Sequence, residues 1–177
     1  INTSTLKEEL SEQGIVLDTN YNSHNYSLID PTHIEMVVEN LVKNAKEAIP
    51  ESKIGKLVSV SVYDQFCNQT ITDHLGNRVN LHGDYVVLEV QDTGSGIANE
   101  NLSKVWNHFY TSKKTRGHGI GMAIIENSIA MHKGAYICVN SKLDQGTKFT
   151  IYFEATPATD TKIKTIGAES SGSIETI

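Results

Sequence analysis

The chain is expected to fold as an α+β two-layer sandwich, a mixed and mostly antiparallel sheet covered on one face by helices. Three observations predict it. One long segment repeats apolar residues at 3, 4 and 7, the spacing of a helix with a single buried stripe. Several shorter segments alternate apolar with polar residues, as half-buried strands do. The order helix, strand, strand, helical loop, helix, strand, strand then places helices together on one side of one sheet.

Residues 1–14 are polar and mildly helical, and the apolar run at 15–17 reads as an edge strand. The long helix follows. Asp30 is an N-cap and Pro31 fits the first helical position, where its missing N–H costs nothing. Ile34, Val37, Val38, Leu41, Ala45 and Ala48 form its stripe, and Pro50 stops it. LVSVSVY (57–63) and DYVVLEVQD (84–92) alternate as strands, joined by a long hairpin or insertion that turns at Leu75, Gly76 and Asn77. A short helix is predicted at 101–107, then a polar loop. RGHGIG opens a second helix, MAIIENSIAMHK, ended by Gly134 in the C′ role. AYICVNS and TKFTIYF are the last strands, across the turn KLDQG. Residues 156–177, rich in Ser, Thr, Ala and Gly, read as a flexible tail or linker.

The 177 residues suit one domain of ~100–150 residues plus a tail. A net charge of −6 with no offsetting basic patch argues against a nucleic-acid face. Cys67 and Cys138, both in strand-like runs, support neither a disulfide framework nor a zinc site and read as small buried hydrophobes. No apolar run approaches the ~20 residues of a membrane span.

Three places carry chemistry. Asp92-Thr93-Gly94 resembles the nucleophile strand of an aspartic protease, but that reaction needs two carboxylates sharing a proton and no second copy is present. The stretch otherwise reads as a turn at Gly94 and Gly96, or as the floor of a nucleotide pocket. Gly117, Gly119 and Gly121 lead directly into a helix, where bare backbone N–H groups and the helix dipole suit an anion. Lys113, Lys114 and Arg116 add positive charge beside them. The spacing is neither a Walker A loop nor a dinucleotide fingerprint. On the long helix Asn40 and Asn44 lie four apart on one face, flanked by Lys43 and Glu47. An amide oxygen there suits a hard cation shared with phosphates.

In this order the motifs resemble the ATP-binding catalytic domain of two-component sensor histidine kinases, in the wider family of gyrase, Hsp90 and MutL. ENLVKNAKEA resembles the N box, DTGSGI the G1 box, HFYTSKK the F box, RGHGIGMAI the G2 box, and GTKFTIYF the final strand; together they cover about residues 28–154. The resemblance implies the Bergerat fold and binding of Mg-ATP. Asp92 would accept the adenine amino hydrogen, Gly94 and Gly96 would let the chain pass close to the purine, and Ile97 would cover its face. Asn44 would hold Mg²⁺, with Asn40 beside it, and Lys43, Glu47 and Ala48 would complete that wall. Gly117, His118, Gly119, Ile120, Gly121 and Met122 would line the phosphates, with Lys113 or Arg116 adding charge and Lys113 counted with Asn40 and Asn44 among the catalytic groups. Phe109 would pack a lid hinge between residues 97 and 117, and Thr147 would lie near the adenine.

In ATP-hydrolysing members a Glu four residues before the metal Asn activates water; here Asn40 takes that place and cannot act as a base. This favours phosphoryl transfer over hydrolysis, with a clamp-type ATPase and an anti-sigma-type serine kinase as alternatives. His118 departs from the usual small residue. No histidine has the acidic, basic and Thr-Pro setting of a phosphoacceptor. The resemblance therefore implies residues 1–14 as a lead-in from an upstream dimerisation and phosphoacceptor domain, 15–155 as the kinase domain and 156–177 as the tail. The implied partners are that acceptor domain and a response regulator receiver domain, without nucleic acid or direct membrane contact, in a homodimeric parent at the cytoplasmic side.

Overall fold

The computed structural model describes residues 4–106 and 120–156. Helix α1 (Ser4–Ser11) leads into β1 (Val16–Asn22), α2 (Pro31–Ala48), β2 (Leu57–Thr72), β3 (Arg78–Asp92), α3 (Gly121–Ala130), β4 (Ala135–Lys142) and β5 (Gly146–Glu154). The strands form one sheet in the order β1-β2-β3-β5-β4. Only β1 runs parallel to its neighbour; the other three pairs are antiparallel. The predicted mixed sheet and its edge strand are both present.

Helix α2 forms where its caps and stripe require. Asp30 Oδ1 accepts the Thr32 N–H at 2.8 Å, Pro31 opens the first turn, and Ile49 N–H closes the last turn on Ala45. Ile34, Val37, Val38, Leu41, Val42 and Ala45 are buried; Val42 joins the predicted stripe, while Ala48 at its end is only half-buried. They meet Val58, Val60, Leu88, Val90, Ile137 and Ile151 from the sheet and Ile125 and Ile129 from α3. The alternation of β2 and β3 puts every second residue on this face.

Three boundaries differ from expectation. The strands at 57–63 and 84–92 extend through the insertion into one continuous hairpin, paired from Val58↔Asp92 to Thr72↔Arg78. Two 3-10 turns, Asn99–Asn101 and Lys104–Trp106, replace the short helix. Helix α3 stops at Ala130 with Met131 as C-cap, so Gly134 is not its C′ residue. Gly134 instead turns the chain into β4 with φ 74°.

The second face of the sheet is covered by the chain's own hairpin. Cys67, Leu81, Tyr85, Val87 and Tyr152 form a separate buried cluster, with Ile71, Val79, Tyr136 and Cys138 against it. Cys67 is buried and Cys138 half-buried, and both are free thiols. The hairpin bends back over β5 and lands on β4, where His74 N–H donates to Ile137 O at 3.0 Å. Gly83, with φ 116° opposite Cys67, takes a conformation in the bend that side chains resist. Thr156 is tied to Tyr26, donating its N–H to Tyr26 O at 2.7 Å; residues 157–177 of the expected tail lie outside the described residues. Among the described residues no helix is long and apolar enough to cross a membrane.

Candidate functional site

The site is assembled along α2, from its middle turns to its C-terminal end. Asp92 closes β3 with only 5% of its surface exposed. Its Oδ1 accepts the Gly94 N–H at 2.6 Å and the Thr147 N–H at 3.3 Å, and no described donor reaches Oδ2. Burial pushes the carboxyl above its ordinary range, opposed by the N–H groups of Gly94 and Thr147 and by the charge of Lys53. A buried carboxylate with one oxygen free of described donors is poised for a ligand donor.

The chain after Asp92 is packed against the end of α2 and against the β4–β5 turn. Ser95 N–H donates to Ala48 O at 3.0 Å. A Cβ on Gly94 would sit 2.8 Å from Ala48 O, and one on Gly96 only 2.0 Å from Lys142 O. The two glycines thus already have protein neighbours that demand them. Ile97, half-buried, donates its N–H to Ser141 Oγ at 2.8 Å. Ser141 in turn meets Gly146 O and Thr147 Oγ1 at 3.0 and 2.9 Å. Lys53 Nζ donates to Asp144 O at 2.9 Å, holding the same turn from the loop after α2.

At the other end, α2 meets the start of α3. Asn40 Nδ2 donates to Met36 O at 2.7 Å, and Asn44 Nδ2 to Met122 Sδ at 3.4 Å. Both amide nitrogens are therefore committed to protein partners, leaving two oxygens beside Gly121. A Cβ there would lie 3.2 Å from Asn40 Oδ1 and 3.6 Å from Asn44 Oδ1. Paired amide oxygens at a helix start fit a hard cation that also takes phosphate oxygens. Among the described residues no group of three His, Cys, Asp or Glu side chains could hold a metal.

Of the predicted residues, the structure joins Thr147, Asp92, Gly94 and Ala48 at one end of α2 and Asn40, Asn44, Gly121 and Met122 toward the other. Lys43 and Glu47 are exposed, as is Ile120. Phe109, Lys113, Arg116, Gly117, His118 and Gly119 lie outside the described residues. Ser141, Gly146 and Lys53 were not anticipated. The KLDQG turn signal located the loop that carries Gly146, but nothing local in the chain shows which segment it grips.

Residues 29–157 match the model of the family described as histidine kinase-, DNA gyrase B-, and HSP90-like ATPase. The sensor kinase CckA of Brucella abortus is 32% identical over 130 residues, 70% of this chain and 12% of the relative. Sporulation kinase A of Bacillus subtilis is 29% identical over 152 residues, 85% of this chain and 22% of the relative. The chain thus spans under a quarter of these two relatives. Among solved structures, the catalytic domain of histidine kinase ThkA superposes with a TM-score of 0.61 at 23% identity, covering 86% of each chain. Full-length ShkA in complex with AMPPNP gives 0.63 at 21% identity, over 88% of this chain and 29% of that one.

Proposed function

Because the chain belongs to the histidine kinase-, DNA gyrase B- and HSP90-like ATPase family, we propose that it binds Mg-ATP and passes the γ-phosphoryl group to a histidine on a separate dimerisation and phosphoacceptor domain, in two-component signalling. One observation carries the reading: the polar groups along α2 are divided by type. A buried carboxylate stands at the Ala48 end and two amide oxygens stand at Asn40 and Asn44. Eight residues separate Asn40 from Ala48, about 12 Å of helix at ~1.5 Å per residue. A purine at one end and a phosphate chain at the other would span that distance.

In this reading Asp92 Oδ2 accepts the amino hydrogen of adenine, while Oδ1 stays held by Gly94 and Thr147. Asn44 Oδ1, with Asn40 Oδ1 beside it, would hold Mg²⁺, whose charge offsets that of the phosphates. Phe109, Lys113, Arg116 and the glycines before Gly121 would cover and line those phosphates. Such a site accelerates phosphoryl transfer by positioning and charge neutralisation. Asn40 cannot take a proton from water, and Glu39 is exposed about 100° away around the helix, which favours transfer over hydrolysis. The receiver domain, the homodimeric parent and its cytoplasmic placement belong to the same proposal; relatives named as a sensor kinase and a hybrid signal transduction histidine kinase support its signalling setting.

Calorimetry with Mg-AMPPNP tests the pocket. The parent chain is expected to bind, and Asn44→Ala and Asp92→Ala each to lose binding while still melting cooperatively. Unchanged affinity in both variants overturns the site. Labelled ATP with a helical acceptor domain tests the reaction, and the expected product is acid-labile phosphohistidine. Label on serine, or ATP turnover by the chain alone, sinks the transfer to histidine.

A further inference from the structure

We infer that His74, at the tip of the β2–β3 hairpin, is a positioning residue for the nucleotide site, acting through α3. The inference rests on the nucleotide reading of that site. The hairpin ends in a turn closed on Asp73, whose Oδ1 accepts the N–H groups of Leu75 and Asn77 at 2.9 and 2.8 Å. Asp73 Oδ2 also accepts from Asn77 Nδ2 at 3.1 Å. This braced tip is docked on β4 by His74 N–H to Ile137 O, and Cys138 Sγ donates to Thr72 O at 3.3 Å. The His74 ring then lies 4.9 Å from Trp106, and its Nε2 lies 3.7 Å from Glu126 Oε1 on α3.

Those contacts lead to the site by a short route. Trp106 is buried and packs edge-on against Phe149 of the sheet. Glu126 follows Met122 by four residues, so the two share one face of α3. Met122 meets the Asn44 amide and Glu126 meets His74. A rotation or slide of α3 that parts Glu126 from His74 also shifts Gly121 and Met122 relative to Asn40 and Asn44. Hairpin and nucleotide site thus pull on the same ridge of one helix.

The choice of residue points the same way. The His74 side chain is only 12% exposed, and its Nδ1 is buried with no hydrogen-bond partner among the described residues. Leucine or phenylalanine would cover Trp106 without burying an unpaired nitrogen. What imidazole adds is reach to Glu126, which a hairpin serving only as a cover does not need.

The test measures Mg-AMPPNP affinity of the 177-residue chain and of His74→Ala, Glu126→Ala, their double variant and His74→Gln. Each single loss is expected to weaken binding about fivefold, roughly 1 kcal/mol, while melting stays cooperative. The double variant is expected to be no weaker than either single one, since both remove one contact. His74→Gln, which keeps a donor for Glu126, is expected to recover most of the affinity. Should His74→Ala fail to fold, Glu126→Ala and His74→Gln carry the comparison, the first expected to lose about fivefold and the second to stay near the parent. Affinities within twofold of the parent, or losses that add, overturn the inference while leaving the nucleotide reading intact. A parent chain that binds no nucleotide removes both.

Discussion

At Asp92 the proposed nucleotide contact and the stability of the fold pull in opposite directions. Its folded carboxyl titrates above its ordinary value of 3.8, chiefly through burial. A raised carboxyl favours the folded state fully below the ordinary value and loses that contribution as pH rises through the folded one. At neutral pH the charge therefore works against folding. Asp92→Asn keeps an oxygen for the Gly94 and Thr147 N–H groups and removes the charge. We expect this variant to melt at or above the parent at pH 7, with the margin shrinking toward pH 4; a lower melting temperature at pH 7 refutes the assignment. In the proposed pocket the same variant would offer an amide NH₂ to the adenine amino group, so nucleotide affinity should fall ten- to a hundred-fold, about 1.5–3 kcal/mol for a charged hydrogen bond. Asp92, Asn40 and Asn44 were legible in the sequence because each belongs to a local pattern. Ser141 and Lys53 were not, because each acts on residues more than forty positions away in the chain.

Among the elements, α2 was readable almost residue by residue, since its cap, stripe and stop are all local. The β2–β3 hairpin reads short because alternation fails beyond Tyr63, where Cys67 alone of the β2 residues is buried. The β4–β5 turn was seen as a turn, but its grip on the Asp92 loop was not. That grip makes a sharp prediction. A Cβ on Gly146 would lie 2.0 Å from Asp92 O, at φ 107°, whereas one on Gly76 at φ 84° meets nothing within 4 Å. Gly76→Ala should cost only the backbone strain, roughly 1–2 kcal/mol. Gly146→Ala adds a backbone collision that no side-chain rotation relieves, and should cost roughly 3 kcal/mol or more. Denaturant melts of the pair decide it: similar losses would mean that the turn yields easily and does not hold the Asp92 loop.

At the scale of the molecule, the sandwich of helices on a sheet was predictable, while the second covered face was not. The contact that creates it joins His74 to Ile137, residues brought together only after the hairpin has bent across an intervening strand. No periodicity encodes such a closure. Its consequence is measurable at Leu81, which lies in the insertion yet is 1% exposed. If the hairpin were an appendage, truncating Leu81 would cost under 1 kcal/mol and leave the main unfolding transition alone. Packed against Val87 and Tyr152, Leu81→Ala should instead lose about 2–5 kcal/mol, as a core leucine does. The whole chain should still unfold in one transition, because the face that Leu81 covers is the back of the strands whose front holds α2. Urea melts followed by far-ultraviolet circular dichroism and by the fluorescence of Trp106, the sole tryptophan, should coincide for parent and variant. Two separated transitions would show that hairpin and sandwich fold independently, and would break the link by which a distant turn steadies α3.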